Sequence, residues 1–230
     1  MLLALSLNGY AQSALRDDVN SSSAAAQSDW VDLGLPSGTL WATRNIGAAS
    51  PEDYGDYFAW GETSPKALYN WENYKWWNEG THAQGNRHSG HTKYVTESEI
   101  GLCGFVDDKA ELELADDAAA ANWGGGARMP SLAQLEELVD KCTWRWERRN
   151  GVDGQLVTGP NGNSIFLPAT GYSEDGSIYG VDYRGYYWSR ALHVGRSSYA
   201  YYLCFDSDSV DWSYHCHRFV GHAVRAVRIP

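Results

Sequence analysis

Apolar and polar positions alternate in short runs along most of this chain, and one stretch carries the spacing of an amphipathic helix. Trp30-Val-Asp-Leu and Leu40-Trp-Ala-Thr flank a Pro36-Ser-Gly38 turn, which predicts a β-hairpin. Further strands are expected at Thr143–Arg148 and Gln155–Thr158 around Asn150-Gly151, and at Ser164–Leu167 after Asn161-Gly-Asn. The last third adds strands near Gly185–Arg190, Ala200–Phe205, Val210–Ser213 and Ala223–Ile229. Ser131 to Cys142 reads as a helix, with Leu132, Leu135, Leu138, Val139 and Cys142 on one face and a capping box from Ser131 and Gln134. Pro51 to Tyr57 reads as a second, short helix, with Pro first and acids in its first turn. No unit recurs at the roughly 20–50 residue periods of solenoids and propellers. Strands at both ends with helices between them predict a single α+β domain.

The apolar pattern also sets the boundaries. Leu2 to Leu7 followed by Gly9-Tyr10-Ala11 reads as the remnant of a secretory signal over residues 1–12, which implies export to the cell surface or medium. Residues 13–29 are Ser- and Ala-rich without periodicity and read as a flexible linker, so the folded domain spans 30–230. No run approaches the ~18 apolar residues of a membrane span.

Composition sharpens the picture. There are 11 Trp and 15 Tyr beside 5 Phe, with 24 Gly, a balance that suits a β-rich, loop-rich fold. The net charge of −11 argues against a nucleic-acid partner. Trp60 to Trp77, dense in aromatics, reads as core and loop packing, and His82 to His91 as a polar surface loop. The four cysteines, at 103, 142, 204 and 216, match no metal or redox spacing. Cys142 reads as core.

From Asp175 to Pro230 the chain contains no Lys, Glu, Gln, Met, Asn or Thr. Tyr, Ser, His, Arg, Asp, Gly, Cys and Val fill the space, the palette of binding surfaces in which rigid aromatics are interleaved with small adaptable residues. That skew predicts a recognition surface.

Several stretches resemble the Fibrobacter succinogenes major paralogous domain family. They include Val31-Asp-Leu-Gly-Leu-Pro-Ser-Gly-Thr-Leu-Trp-Ala-Thr and Ser50-Pro-Glu-Asp-Tyr-Gly-Asp-Tyr-Phe-Ala-Trp-Gly-Glu62. Arg128-Met-Pro130, Cys142-Thr-Trp144, Gly159-Pro-Asn-Gly-Asn-Ser-Ile-Phe-Leu-Pro168, Tyr187-Trp-Ser189 and Gly221-His-Ala-Val-Arg225 extend the likeness over about residues 30 to 228. The resemblance implies a C-type lectin-like fold with short mixed strands, about two helices, long loops and paired terminal strands. Arg44 departs from a Cys expected by the family pattern, which puts any inherited disulfide in doubt. The Glu-Pro-Asn, Gln-Pro-Asp and Trp-Asn-Asp motifs of calcium-dependent sugar binding are absent, so the fold carries no licence to infer sugar binding.

Some proteins of this broad fold are the variable proteins of diversity-generating retroelements, in which adenines near the 3′ end of the gene are rewritten. An AAC or AAT codon randomised at its first two bases never yields Lys, Glu, Gln, Met or Trp. The stretches His193-Val-Gly-Arg-Ser-Ser-Tyr199 and Ser213-Tyr-His-Cys-His217 with Phe219-Val220 obey that alphabet, between fixed anchors at Val210, Trp212, Arg218, Gly221 and His222. The resemblance thus implies a variable region over about residues 186–222. Expected ligand contacts are His193, Val194, Gly195, Arg196, Ser198, Tyr199, Tyr201, Cys204, Asp206, Asp211, Ser213, Tyr214, His215, Cys216, His217, Phe219 and Val220. The ligand would be a protein or glycan on a cell or phage surface, bound without a cofactor or metal.

Three other readings compete. His215, Cys216 and His217 invite a metal, and Asp206, Asp208 and Asp211 a hard cation, but randomised codons and an acidic turn explain them more simply. A catalyst like the formylglycine-generating enzymes would use Cys204 and Cys216, beside which no activating base is evident. A surface assembly subunit would share the fold but keep a constant tail.

Overall fold

A computed structural model of the chain describes residues 29–78 and 89–229. Among the described residues it is a mixed α+β domain of three sheets and two α-helices. β1 (Trp30–Asp32) and β2 (Leu40–Asn45) form the expected hairpin, closed by a turn in which the Gly38 amide donates to the Leu35 carbonyl at 2.9 Å. The last strand, β11 (Arg225–Arg228), returns to pair antiparallel with β2, so both ends of the domain share one sheet. Buried Arg225 fastens that closure by donating to Asn45 Oδ1 (2.8 Å), the Ala42 carbonyl (3.0 Å) and the Phe166 carbonyl (2.8 Å).

Helix α1 (Ala118–Trp123) is capped by Asp117, and α2 (Leu132–Lys141) by the predicted box, Ser131 accepting from the Gln134 amide while Gln134 accepts from that of Ser131. Leu135 and Leu138 of α2 are buried against Trp41, Val157 and Leu203. A meander follows: β3 (Thr143–Arg149), β4 (Val152–Thr158) and β5 (Ser164–Pro168). Asn150 and Gly151 both take positive φ at its first turn, the backbone of a tight hairpin whose twist matches the strands.

The sheet that matters for function has the order β10-β9-β8-β6-β7. Its members are β6 (Thr170–Glu174), β7 (Ser177–Val181), β8 (Gly185–Leu192), β9 (Tyr199–Phe205) and β10 (Val210–His217). β6 joins β8 by one parallel bridge, and the other strand pairs of this sheet are antiparallel. Trp60, Trp188, Tyr94 and Met129 fill the core on one side, and Trp41, Tyr187, Phe205 and Leu167 on the other.

Three expectations need correction. Pro51–Tyr57 is not a helix: Asp53 Oδ2 takes the amides of Ala49 and Ser50, and Gly55 turns at φ +74 with its Cα face closed against the Ile46 carbonyl. Strands β6 and β7 were not expected, because Thr-Gly-Tyr-Ser-Glu is polar on both faces and β7 is exposed along its whole length. β10 runs on to His217 through a bulge between Asp211 and Tyr214, where the apolar alternation gives out.

Candidate functional site

The expected recognition stretches meet on one ribbon. Register places Tyr199 opposite His217 and Tyr201 opposite His215, so these four side chains share a face of β9–β10. His193, from the turn before β9, stacks on Tyr201 at 4.9 Å and lies 4.4 Å from His215. Tyr199 is 4.3 Å from the His217 ring, which stacks on Phe219 at 5.6 Å and meets Trp71 edge-on at 5.3 Å. The result is an unbroken row of imidazole and aromatic rings along a half-buried surface. Burial lowers the His193 pKa first, and the neighbouring His215 lowers it further.

A buried scaffold stiffens this ribbon from beneath. Arg218 has no carboxylate partner among the described residues and spends its donors on Tyr74 Oη (3.0 Å) and on the carbonyls of Tyr94 (2.8 Å), Ser197 (2.8 Å) and Lys93 (3.0 Å). Glu97 accepts from the Ser197 amide (2.9 Å) and hydroxyl (2.5 Å). Burial raises the Glu97 pKa, but the bonds from Ser197 and Thr96 outweigh it and leave the group below its ordinary value. The turn carrying Val194, Gly195 and Arg196 is therefore exposed at its tip and pinned at its foot.

Val194 (65% exposed), Tyr214 (51%), Gly195, Arg196 and Ser213 face solvent, and His193, Tyr199, Tyr201, His215, Cys216 and His217 are half-buried. Four expected contacts lie in the interior instead: Ser198, Cys204, Phe219 and Val220. Strand alternation turns Cys204 inward beside Tyr186, while Phe219 and Val220 pack with Tyr69 and Tyr74. Ser198 sits under the pinned turn, its carbonyl taking the Arg218 amide at 3.1 Å. Asp206 and Asp211 are half-buried acceptors of local bonds: Asp206 takes the Asp208 and Ser209 amides, and Asp211 that of Ser213. His91 is buried edge-on against Trp71 at 5.1 Å, which corrects its surface-loop reading; His82 and His88 lie outside the described residues.

On the other side of the ribbon, with His217 at the strand end shared between the two, lies a cleft of about 300 Å³, lined by Tyr172, Glu174, Tyr186, Tyr202, Cys216, His217, Val220 and His222. Cys216 Sγ is 3.5 Å from His222 Nε2. Burial holds the thiol well above its ordinary pKa, with Glu174 adding to the effect, and drives His222 down to about 3. The pair is thus a neutral thiol beside a neutral imidazole, the opposite of a thiolate–imidazolium couple. No disulfide joins the four cysteines, and burial lifts Cys142 and Cys204 to about 11. Among the described residues no group of three or more His, Cys, Asp or Glu side chains is placed to hold a metal, and no helix is long and apolar enough to cross a membrane.

The chain matches no protein-family model, no curated protein and no solved structure. Geometry therefore carries the functional reading. It adds residues that sequence reasoning passed over: Trp71, which extends the ring row, and Tyr172, Glu174 and Tyr202, which wall the cleft. The available signal was Asp175-Gly176 directly after Glu174, a hairpin-turn pair whose residues both take positive φ.

Proposed function

We propose that this chain is an exported ligand-binding protein, of receptor or adhesin type, that displays a diversified surface on a C-type lectin-like frame. The display elements are the turn at His193–Arg196 and the outward residues of β9 and β10. One observation carries the reading. Within residues 186–222 only Trp188 and Trp212 lie outside the alphabet of a randomised AAC or AAT codon, and both are frame residues. Trp188 is fully buried, and Trp212 packs against the core beside Trp41 and Phe205. The solvent-facing positions all fall inside that alphabet.

A retroelement origin explains this division economically, since a rewritten codon is tolerable only where folding does not depend on its product. Paired terminal strands around a set of short sheets support the lectin-like frame. The test is a reading of the gene's 3′ end with its flanking DNA. Codons at Val194, Arg196, Ser213, Tyr214, His215 and His217 should end in C or T, and a near-copy repeat with a reverse transcriptase should lie nearby. Several of these codons ending in A or G would refute the proposal.

A second reading, a surface assembly subunit, draws on β7. Among the described residues this strand is one edge of its sheet, exposed throughout, with Ile178 (54%) on it and Tyr183 (63%) just after it in solvent. It predicts a tail that stays constant among sister strains.

A further inference from the structure

The cleft on the inner face of the ribbon has a chemistry that the ring row lacks. Tyr172 and Glu174 are two residues apart on β6 and so project to the same side; Tyr186 comes from β8 and Tyr202 from β9. The rings do not stack as a pile. Tyr172 and Tyr186 meet at 5.1 Å and 67°, Tyr186 and Tyr202 at 5.7 Å and 37°, which bends the three into a concave wall. His222 backs it, with ring centroids 5.4 Å from Tyr186 and 4.6 Å from Tyr202.

One ionisable group in the lining stands apart. The Glu174 carboxylate makes no hydrogen bond or ion pair with the described residues, and the lining holds no Lys or Arg. Burial raises its pKa and nearby Asp175 raises it further, as expected for an acid short of a counter-charge. The neighbouring guanidinium, Arg184, bonds Tyr186 and pairs with Asp206 at 3.3 Å. His222 is neutral and fully buried, and its Nδ1 has no hydrogen-bond partner among the described residues.

We propose that this cleft binds a small quaternary or methylated ammonium group, held against the faces of Tyr172, Tyr186 and Tyr202 with Glu174 as its counter-charge. The ring quadrupole attracts a cation, and a methylated ammonium suits such walls because its charge is spread over carbon and needs no fan of acceptors. A primary ammonium carries three N–H donors and would leave most of them unmet here. A volume of about 300 Å³ is small for a ligand pocket, so the site takes a headgroup rather than an extended molecule. Tyr172 and Glu174 precede the tail that carries the restricted alphabet, whereas Tyr186 and Tyr202 lie within it, so the proposal concerns the side chains this chain carries at those positions.

Calorimetric titration of the full chain with tetramethylammonium and with choline tests this, with dimethylbutanol as the uncharged carbon isostere of choline. Both cations should bind at millimolar concentration or below, and the isostere about tenfold more weakly. Glu174→Gln and Tyr172→Leu should each weaken choline by roughly three- to tenfold, while Leu114→Ser, at an exposed position outside the cleft lining, should retain binding. Thermal melts of the variants establish that each is folded. Absence of cation binding by the wild-type protein, equal binding of the isostere, or a folded Glu174→Gln variant with unchanged affinity would each overturn the proposal.

Discussion

Replacing Arg218 by Met separates frame from face most sharply. The side chain is fully buried and makes four hydrogen bonds, three of them to main-chain carbonyls on two different loops. Met keeps much of the volume and removes every donor. The Lys93, Tyr94 and Ser197 carbonyls and the Tyr74 hydroxyl then lose a partner at about 1–3 kcal/mol for each buried group. Release of the guanidinium from its desolvation offsets part of that loss, which leaves a net destabilisation of about 4 kcal/mol. For a domain of this size that is a fall in Tm of about 10 °C. Arg218→Met and His215→Ala should be melted side by side, with amide exchange followed at the Arg218 N–H, which donates to Ser198. The His215 variant should stay within about 1 kcal/mol of wild type, and the Arg218 variant should lose protection around residues 197–199. An Arg218→Met melt within about 2 °C of wild type would show that the ribbon is not held from beneath as described.

Other consequences follow from the same geometry. A Cβ on Gly185 would stand 2.0 Å from Phe205 Cζ, so Gly185→Ala should cost about 1–3 kcal/mol, and Phe205→Leu in that background should recover part of it; an unchanged melt contradicts the packing. The folded pKa of His222, about 3, lies below its unfolded value of 6.5. The unfolded chain therefore binds the extra proton between those limits, and stability falls as pH drops from about 6.5 toward 3, by about 2 kcal/mol at pH 5. His193 acts in the same direction, so His222→Gln should flatten the stability profile between pH 7 and 5 without abolishing its slope. Exposed Cys103 should react with iodoacetamide well before Cys204 and Cys216, whose thiols burial holds above the ordinary range; early labelling of Cys216 would contradict its placement.

Much of the frame was legible because it obeys local rules. The hairpin of β1 and β2, the capped helix α2 and the Asn150-Gly151 turn each carry their own signal in a few residues. β6 and β7 carried a hairpin turn but no apolar alternation, since Tyr172 and Glu174 face a polar cleft and β7 has no core side. The site divided in the same way. Under the proposed reading a restricted alphabet would mark where residues are free to differ, and its stretches fall on the ribbon, the turn and the ring row. It cannot tell inside from outside, because Ser, Cys, Phe and Val are products of the same codons. Ser198, Cys204, Phe219 and Val220 were therefore grouped with the surface, and only register and packing place them within. Trp71, far away in sequence, joins the row through tertiary contact alone.

The most direct measurement is a sorted library. Codons for Val194, Arg196, Ser213, Tyr214 and His215 are randomised at their first two bases with C or T third, the chains are displayed, and the protease-resistant fraction is counted. A parallel library does the same at Ser189, Leu203, Arg218 and Arg225. The account predicts that most of the first library stays folded and most of the second is lost. Comparable losses in both would contradict it.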